Sequence, residues 1–413
     1  MDGYEYELLA SCTIGGVLAR KYRSLRTGIV VCLAQVEGPL VNGFFCLATE
    51  AHDDDGLPHT LEHLIFMGSE KYPYKGVLDL LANRCLAQGT NAWTDVDHTC
   101  YTITTAGSEG FLNLLPIYLD HILYPTLTDA AYITEVHHVN GEGEDAGVVY
   151  CEMQARENTS EDLTHYHLVQ LMYPGHCGYK SETGGRMLYI RTSTSNEKVR
   201  SYHHSYYRPD NLVLIVTGQV EPDQLFKAIQ PFEEKILSKG QLSSFDRPWQ
   251  SPIDPLESTK VEEVPFPTSE EDDGLVRIGW RGPKAKERYA MTAMEVLMEY
   301  LTDTPVAPLQ RDLVEIEEPY CCDVDVLQLE NNVTVFGITL EGVPTEKLVN
   351  INIKVKEVLE KLSNGTEEID VKRMTNILNQ RILKVANQVE ESPHYFFAFS
   401  LIGDFLFGDT PED

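Results

Sequence analysis

Hydrophobic and polar positions along the chain predict an alternation of strands and helices in its first 240 residues. Apolar runs bounded by turn-forming residues indicate strands, and apolar positions three or four residues apart indicate helices. The predicted strands lie at 28–36, 43–49, 90–94, 99–105 and 212–216. The predicted helices lie around His59 and near 77–87, 110–123 and 148–162.

A second run of elements begins at Gly274, after a segment from 238 to 273 that is rich in proline, serine and acidic residues. That segment has little periodicity and is typical of a linker. Strands at 275–283 and 332–343 and helices at 289–301, 345–362 and 371–389 follow it. The pattern predicts two consecutive α/β domains, 1–240 and 274–413, joined by the linker 241–273.

The last apolar segment, Tyr395–Phe407, is strongly apolar, with the sequence YFFAFSLIGDFLF. Such a segment is a liability when it is exposed. We therefore expect it to pack into a continuing domain or against a partner chain.

Composition and charge exclude several kinds of partner and several cellular compartments. The formal net charge of −31 argues against nucleic acid and anionic membranes as partners, and no apolar run reaches the length of a membrane span. The acidic N-terminus resembles neither a secretory signal nor a transit peptide. The nine cysteines show no metal-binding spacing and suit a reducing compartment. These features predict a cytoplasmic protein, rather than one of the mitochondrial matrix.

The strongest chemical pattern is the H-x-x-E-H motif from His59 to His63. Residues four apart share one face of a helix, so His59 and His63 would direct two imidazoles at one zinc ion. Glu62 would reach a metal-bound water without binding the metal, which is the position of a general base. The motif is the inverted zincin pattern. A coincidental match of three polar residues on a helix is the alternative.

A catalytic zinc site needs a third ligand. The segment AGVVYCEMQARENTSEDL offers Glu152, which would project from a half-buried helix whose apolar stripe includes Val149 and Met153. Asp145 precedes Glu152 by about two helical turns, where its carboxylate could hold a ligand histidine through the free ring N–H.

Three stretches give the chain a specific resemblance to a known family. They are GLPHTLEHLIFMGSEKYPYKGVLDLLANRCLAQGTNAWTDVDHTCYT, EVHHVNGEGEDAGVVYCEMQ and YYRPDNLVLIVTGQV. The chain resembles the pitrilysin/insulinase family of zinc peptidases. The similarity is greatest to the branch that contains the presequence proteases and their cytosolic insulinase-like relatives.

The resemblance implies an α+β fold of two family domains, each a mostly antiparallel sheet covered by helices, with the second domain truncated. It implies that His59, His63 and Glu152 bind one zinc ion and that Glu62 is the general base. It implies a substrate-binding edge strand over Asn91, Ala92, Trp93 and Thr94, which would receive an unfolded peptide by strand addition. Asp145 stands where several relatives have a glutamate that supports a ligand.

The resemblance covers only the N-terminal half of the longer relatives. In those relatives a C-terminal half donates an arginine and a tyrosine that help hold the substrate, and nothing in this sequence matches that half. We therefore expect a C-terminal half or a partner chain, and we expect this chain alone to bind zinc but to cleave peptides weakly. The alternatives are a non-catalytic peptide-binding or assembly subunit of the same fold, or an inactive truncated half-enzyme.

Overall fold

The computed structural model describes residues 5–240, 242–249, 252–269 and 272–408. The chain forms two compact units that are discontinuous in sequence. The first comprises 1–155, 181–251 and 388–413, and the second comprises 156–180 and 252–387. Each predicted domain is one continuous range, whereas each of these units is built from segments that are separated in the sequence. The described residues between 242 and 269 form neither helix nor strand.

A seven-stranded sheet is the centre of the first unit. Its strands are β1 Tyr6–Ile14, β2 Val17–Ser24, β3 Val30–Ala34, β4 Leu40–Ala48, β5 Ala87–Thr94, β6 His98–Ala106 and β9 Leu212–Thr217. Their order across the sheet is β1-β2-β3-β9-β4-β6-β5, and the two short strands β7 His138–Val139 and β8 Asp145–Ala146 form a separate antiparallel pair. Only the pair of β3 and β9 is parallel, so the predicted mostly antiparallel sheet is confirmed. The hairpin of β1 and β2 was not predicted.

Helices cover both faces of this sheet. They are α1 Leu57–Ile65, α2 Val77–Arg84, α3 Ser108–Leu123, α4 Asp129–Glu135, α5 Val148–Arg156, α7 Met187–Thr192, α8 Asn196–Tyr206, α9 Pro222–Ser238 and α14 Pro393–Phe407. Strand β4 is therefore buried on both faces. Phe45 and Leu47 pack into the hydrophobic core on the α1 side of the sheet, and Phe44 and Cys46 pack into the core on the opposite side. A strand buried on both faces has a continuous apolar sequence, which is the pattern that predicted it.

The apolar segment near the C-terminus was expected to pack into a continuing domain or against a partner chain, and part of its surface packs within the first unit. The segment forms α14, which packs on the sheet face opposite α1 and α3. Phe397, Ala398 and Ile402 are buried there. Tyr395 and Phe399 of the same helix are more than half exposed, so a domain or partner chain that covers them stays a prediction.

The second unit contains a three-stranded antiparallel sheet of order β10-β12-β11. Its strands are β10 Asp273–Lys284, β11 Asp323–Leu329 and β12 Val333–Pro344, and its helices are α6 Ser160–Met172, α10 Arg288–Thr302, α11 Pro308–Leu313, α12 Ile351–Ser363 and most of α13 Val371–Glu391. The helix predicted at 148–162 is two helices, because Thr159 caps α6 by accepting a hydrogen bond from the Asp162 N–H. No helix in the described part of the chain is long and apolar enough to cross a membrane.

Candidate metal centre

Helix α1 carries the H-x-x-E-H motif on the first unit. Pro58 lies in its first turn, where a missing N–H costs no hydrogen bond, and Leu61 and Leu64 anchor it in the core. Gly56 precedes the helix with φ of 70°, and a Cβ there would lie 2.5 Å from the Cα of Gly185. This close approach needs glycine and seats the start of α1 against the loop that contains Gly185.

The two histidines of the motif are oriented through their Nδ1 atoms. His59 Nδ1 lies 3.4 Å from the backbone oxygen of Gly184, and His63 Nδ1 lies 3.4 Å from Glu135 Oε1. Both partners accept hydrogen bonds, so these contacts favour the neutral tautomer that carries its proton on Nδ1. The lone pair of each ring is therefore on Nε2, the atom available to a metal.

Glu152 reaches the same place from α5. Gly147 precedes this helix with φ of 125°, and a Cβ at that position would lie 2.3 Å from the Val136 oxygen. Val149 and Met153 are buried on one side of α5, so the Glu152 side chain leaves from the other and remains half exposed.

The three side chains form a compact donor set. The two Nε2 atoms of His59 and His63 are 3.1 Å apart, and Glu152 Oε2 lies 3.6 Å from each of them. Zinc bonds of about 2.1 Å in tetrahedral geometry place neighbouring ligand atoms about 3.4 Å apart. Two lone pairs that face each other at this distance repel, and a cation between them removes the repulsion. The residues present therefore fit a zinc ion. In the described part of the chain this is the one group of three metal-binding side chains.

Glu62 lies beside the donor set and outside it. Its Oε2 accepts a 2.6 Å hydrogen bond from the hydroxyl of Thr94, the last residue of β5. Burial raises the pKa of Glu62, while the hydrogen bond from Thr94 and the charge of His63 act in the opposite direction. A carboxylate with a raised pKa is suited to exchange a proton near neutral pH.

The segment predicted to receive substrate, Asn91–Thr94, ends the strand β5 at one edge of the sheet. Its inner neighbour is β6, and no strand of the described chain pairs with its outer side. Asn91 is exposed, whereas Ala92 packs against the core on the α1 side. The structure thus brings an unpaired strand edge next to Glu62, through Thr94.

Asp145 does not take the place that the sequence analysis gave it. Its carboxylate pairs with His137 at 2.7 Å and with Arg191 at 2.5 Å. The carboxylate at the ring nitrogen of His63 is that of Glu135, at the end of α4. Sequence reasoning missed Glu135 because it is 72 residues from His63 and no spacing rule connects the two.

The acidic surroundings change the protonation of His63. Burial by itself would lower the pKa of His63, but the hydrogen bond to Glu135 and the charges of Glu62 and Glu152 outweigh it, and the pKa is raised. The contact with His63 in turn lowers the pKa of Glu135. The site therefore attracts positive charge, whether a proton or a metal ion.

Two family profiles match this chain. The insulinase profile (peptidase family M16) covers residues 48–168, which include both histidines and Glu152. The profile of the peptidase M16 inactive domain covers residues 193–380.

Individual relatives and solved structures are also similar. An uncharacterised protein of Caenorhabditis elegans is 40% identical over 411 residues, which are 98% of this chain and 41% of the relative. The mitochondrial presequence protease of Xenopus laevis is 27% identical over 81% of this chain and 33% of the relative. A Helicobacter pylori protease superposes with a TM-score of 0.70 at 19% identity and covers 98% of this chain and 90% of its own. The chain spans about two-fifths or less of the length of these curated relatives.

Proposed function

The chain belongs to the insulinase/pitrilysin family of peptidases, presequence-protease branch, and on that premise we propose that it carries the zinc site of an endopeptidase that hydrolyses unfolded peptides. His59, His63 and Glu152 would bind one zinc ion, and Glu62 would act as the general base. The location of the protein in the cytoplasm stays a prediction from composition.

One observation carries this proposal. Two imidazole Nε2 atoms and one carboxylate oxygen converge within bonding distance of a common point, while acceptors at both Nδ1 atoms hold the rings in the metal-binding tautomer. Two histidines with a purely structural role would not need Nε2 lone pairs that face each other. A family fold alone would not supply this argument, because one fold hosts many functions.

The protein side chains have distinct tasks in the proposed hydrolysis. A zinc ion in such a site supplies Lewis acidity toward water and toward a peptide carbonyl oxygen. Glu62 takes the proton from the attacking water at its carboxylate and passes it to the leaving amine. The Thr94 hydroxyl holds Oε2 of that carboxylate, which leaves Oε1 to exchange the proton.

The edge of β5 defines the class of substrate. An unpaired strand edge can add only an extended backbone, which forms main-chain hydrogen bonds with it. A folded protein does not present such a segment without local unfolding. We therefore propose unfolded or flexible peptides as substrates. The position of the peptide along β5 would place the cleaved bond near Glu62.

The test measures zinc content and peptide cleavage on the same sample. The purified chain should bind close to one zinc ion and hydrolyse an internally quenched fluorescent peptide, and a chelator should abolish the hydrolysis. Glu62→Gln keeps the size of the side chain and removes its basicity. It should retain zinc and lose at least about a hundredfold in rate.

Other outcomes separate the alternatives. Zinc binding without hydrolysis, unchanged when a C-terminal half of a relative is added, would favour a non-catalytic peptide-binding subunit. Loss of zinc in Glu62→Gln would make Glu62 a ligand and would contradict the roles proposed here.

A further inference from the structure

Successive side chains of β5 point to opposite faces of the sheet. Thr94 contacts Glu62 on the α1 side, and Ala92 packs against the core on that same side. Trp93, between them, packs on the other face with the cluster that contains α14. A peptide that adds to this edge has the same alternation, so every second side chain points away from the metal site.

On that second face four rings form what we call the aromatic shelf, defined as Phe44, Trp93, Tyr395 and Phe399. The ring of Trp93 lies 6.3 Å from Phe44 and 5.9 Å from Phe399, between ring centroids. Tyr395 lies 6.0 Å from Phe44 and stacks with Phe399 at 6.1 Å. Each ring thus touches two others, and the shelf connects β4, β5 and α14.

The shelf is only partly buried, and its Trp93 ring is half-buried. Phe44 is buried, whereas Tyr395 and Phe399 are 52% and 56% exposed. These two rings stand next to each other, so their exposed surfaces form one apolar patch rather than isolated positions. Stacked rings of this kind offer large contact area at a small cost in side-chain entropy.

The Trp93 ring is held in place by a polar chain. Its Nε1–H donates a 3.0 Å hydrogen bond to Nε2 of His98, whose Nδ1 lies 2.8 Å from Asp97 Oδ1. His98 and Asp97 are both buried. The indole is therefore oriented before any ligand arrives, and an oriented surface loses less entropy on binding.

We propose that the aromatic shelf binds large apolar or aromatic side chains of the peptide that adds to β5, at the alternate positions that point away from the metal centre. This inference rests on the proposed peptide-binding function and adds a sequence preference to it. A residue opposite Trp93 lies within about 5.5 Å of it between Cβ atoms, and the Trp93 ring in turn lies 5.9 Å from that of Phe399 between centroids. Residues of the peptide that face Glu62 do not meet the shelf.

The preference is testable by binding alone. Zinc-loaded Glu62→Gln protein, which should not hydrolyse the ligand, is titrated with two fluorescein-labelled nine-residue peptides. One alternates phenylalanine with threonine, and the other has serine in place of every phenylalanine. Because the first peptide can shift its register by one residue, its phenylalanines can face the shelf wherever binding starts. We expect it to bind about tenfold more tightly than the second.

Variants assign that preference to the shelf. Phe399→Ser, made in the same background, should remove most of the tenfold difference while leaving the affinity of the serine peptide unchanged. Tyr289→Ser is the matched control, because Tyr289 is an aromatic residue of α10 in the second unit and is 91% exposed. This control should keep the full difference. Thermal unfolding of each variant checks that the fold is retained.

The outcomes separate this inference from the function on which it rests. Equal binding of the two peptides, or an undiminished preference in Phe399→Ser, would overturn the shelf while strand addition remained. Failure of both peptides to bind would overturn the shelf together with strand addition. The failure of the peptidase proposal is detected elsewhere, as the absence of zinc-dependent hydrolysis by the unmodified chain.

Discussion

The contact between Thr94 and Glu62 offers a sharp test of how the proposed substrate strand and the proposed base work together. Thr94→Val replaces the hydroxyl with a methyl group of similar size, so the packing of β5 is retained. The change removes the one hydrogen bond at 2.6 Å that holds Glu62 Oε2. Glu62 would then be free to rotate away from the orientation in which that hydrogen bond holds it.

The magnitude follows from the kind of bond that is lost. A hydrogen bond to a charged group contributes about 1.5–3 kcal/mol. At about 1.4 kcal/mol for each factor of ten in rate, the loss corresponds to about a ten- to hundredfold lower kcat/KM. Zinc affinity should be unchanged, because the Thr94 hydroxyl donates its hydrogen bond to Glu62 and not to one of the three proposed ligands.

The assay measures kcat/KM for five proteins. They are the unmodified chain, Thr94→Val, Thr94→Ser, and Glu62→Gln with and without Thr94→Val. Thr94→Ser keeps the hydroxyl and should restore most of the activity that Thr94→Val loses. In the Glu62→Gln background, Thr94→Val should cause little further loss, because the group that it positions has already been disabled. A full additional loss in that background would show that Thr94 acts on the substrate or on the fold rather than on Glu62, and would refute the reasoning.

Two further predictions concern the metal site and pH. Glu152→Gln removes the only anionic ligand of the donor set, so zinc affinity should fall by at least about tenfold and the thermal stabilisation by added zinc should shrink; unchanged zinc titration would exclude Glu152 as a ligand. Burial lowers the pKa of His203 to about 4, and its Nε2–H donates a 2.9 Å hydrogen bond to the Ile122 oxygen. The unfolded chain, with a histidine pKa of about 6.5, binds more protons between these values. The stability contributed by neutral His203 is therefore complete above about pH 6.5 and is lost as the pH falls toward 4. His203→Gln should reduce the loss of unfolding free energy between about pH 7.5 and 5 by about 2 kcal/mol, as measured by urea unfolding; parallel pH profiles of the two proteins would contradict it.

The sequence determined the parts of this protein that depend on local geometry. The helical repeat places residues four apart on one face, so the convergence of His59 and His63 follows from their spacing. The buried strands β4 and β9 follow from continuous apolar runs, since a strand covered on both faces has no polar side to show. The resemblance of the motif stretches to a known family added the link to Glu152.

The tertiary structure decided what depends on contacts between distant segments. Glu135, rather than Asp145, supports His63 because α4 ends beside α1, and no spacing in the chain records that approach. The outer side of β5 pairs with no strand of the described chain because β5 lies at the edge of the sheet, which is a property of strand order and not of its own residues. The sequence does not show what covers the apolar segment that forms α14. This helix packs on the seven-stranded sheet, whose strands end by residue 217, far from α14 along the chain. Local periodicity records which face of an element is apolar, whereas only folding decides what that face meets.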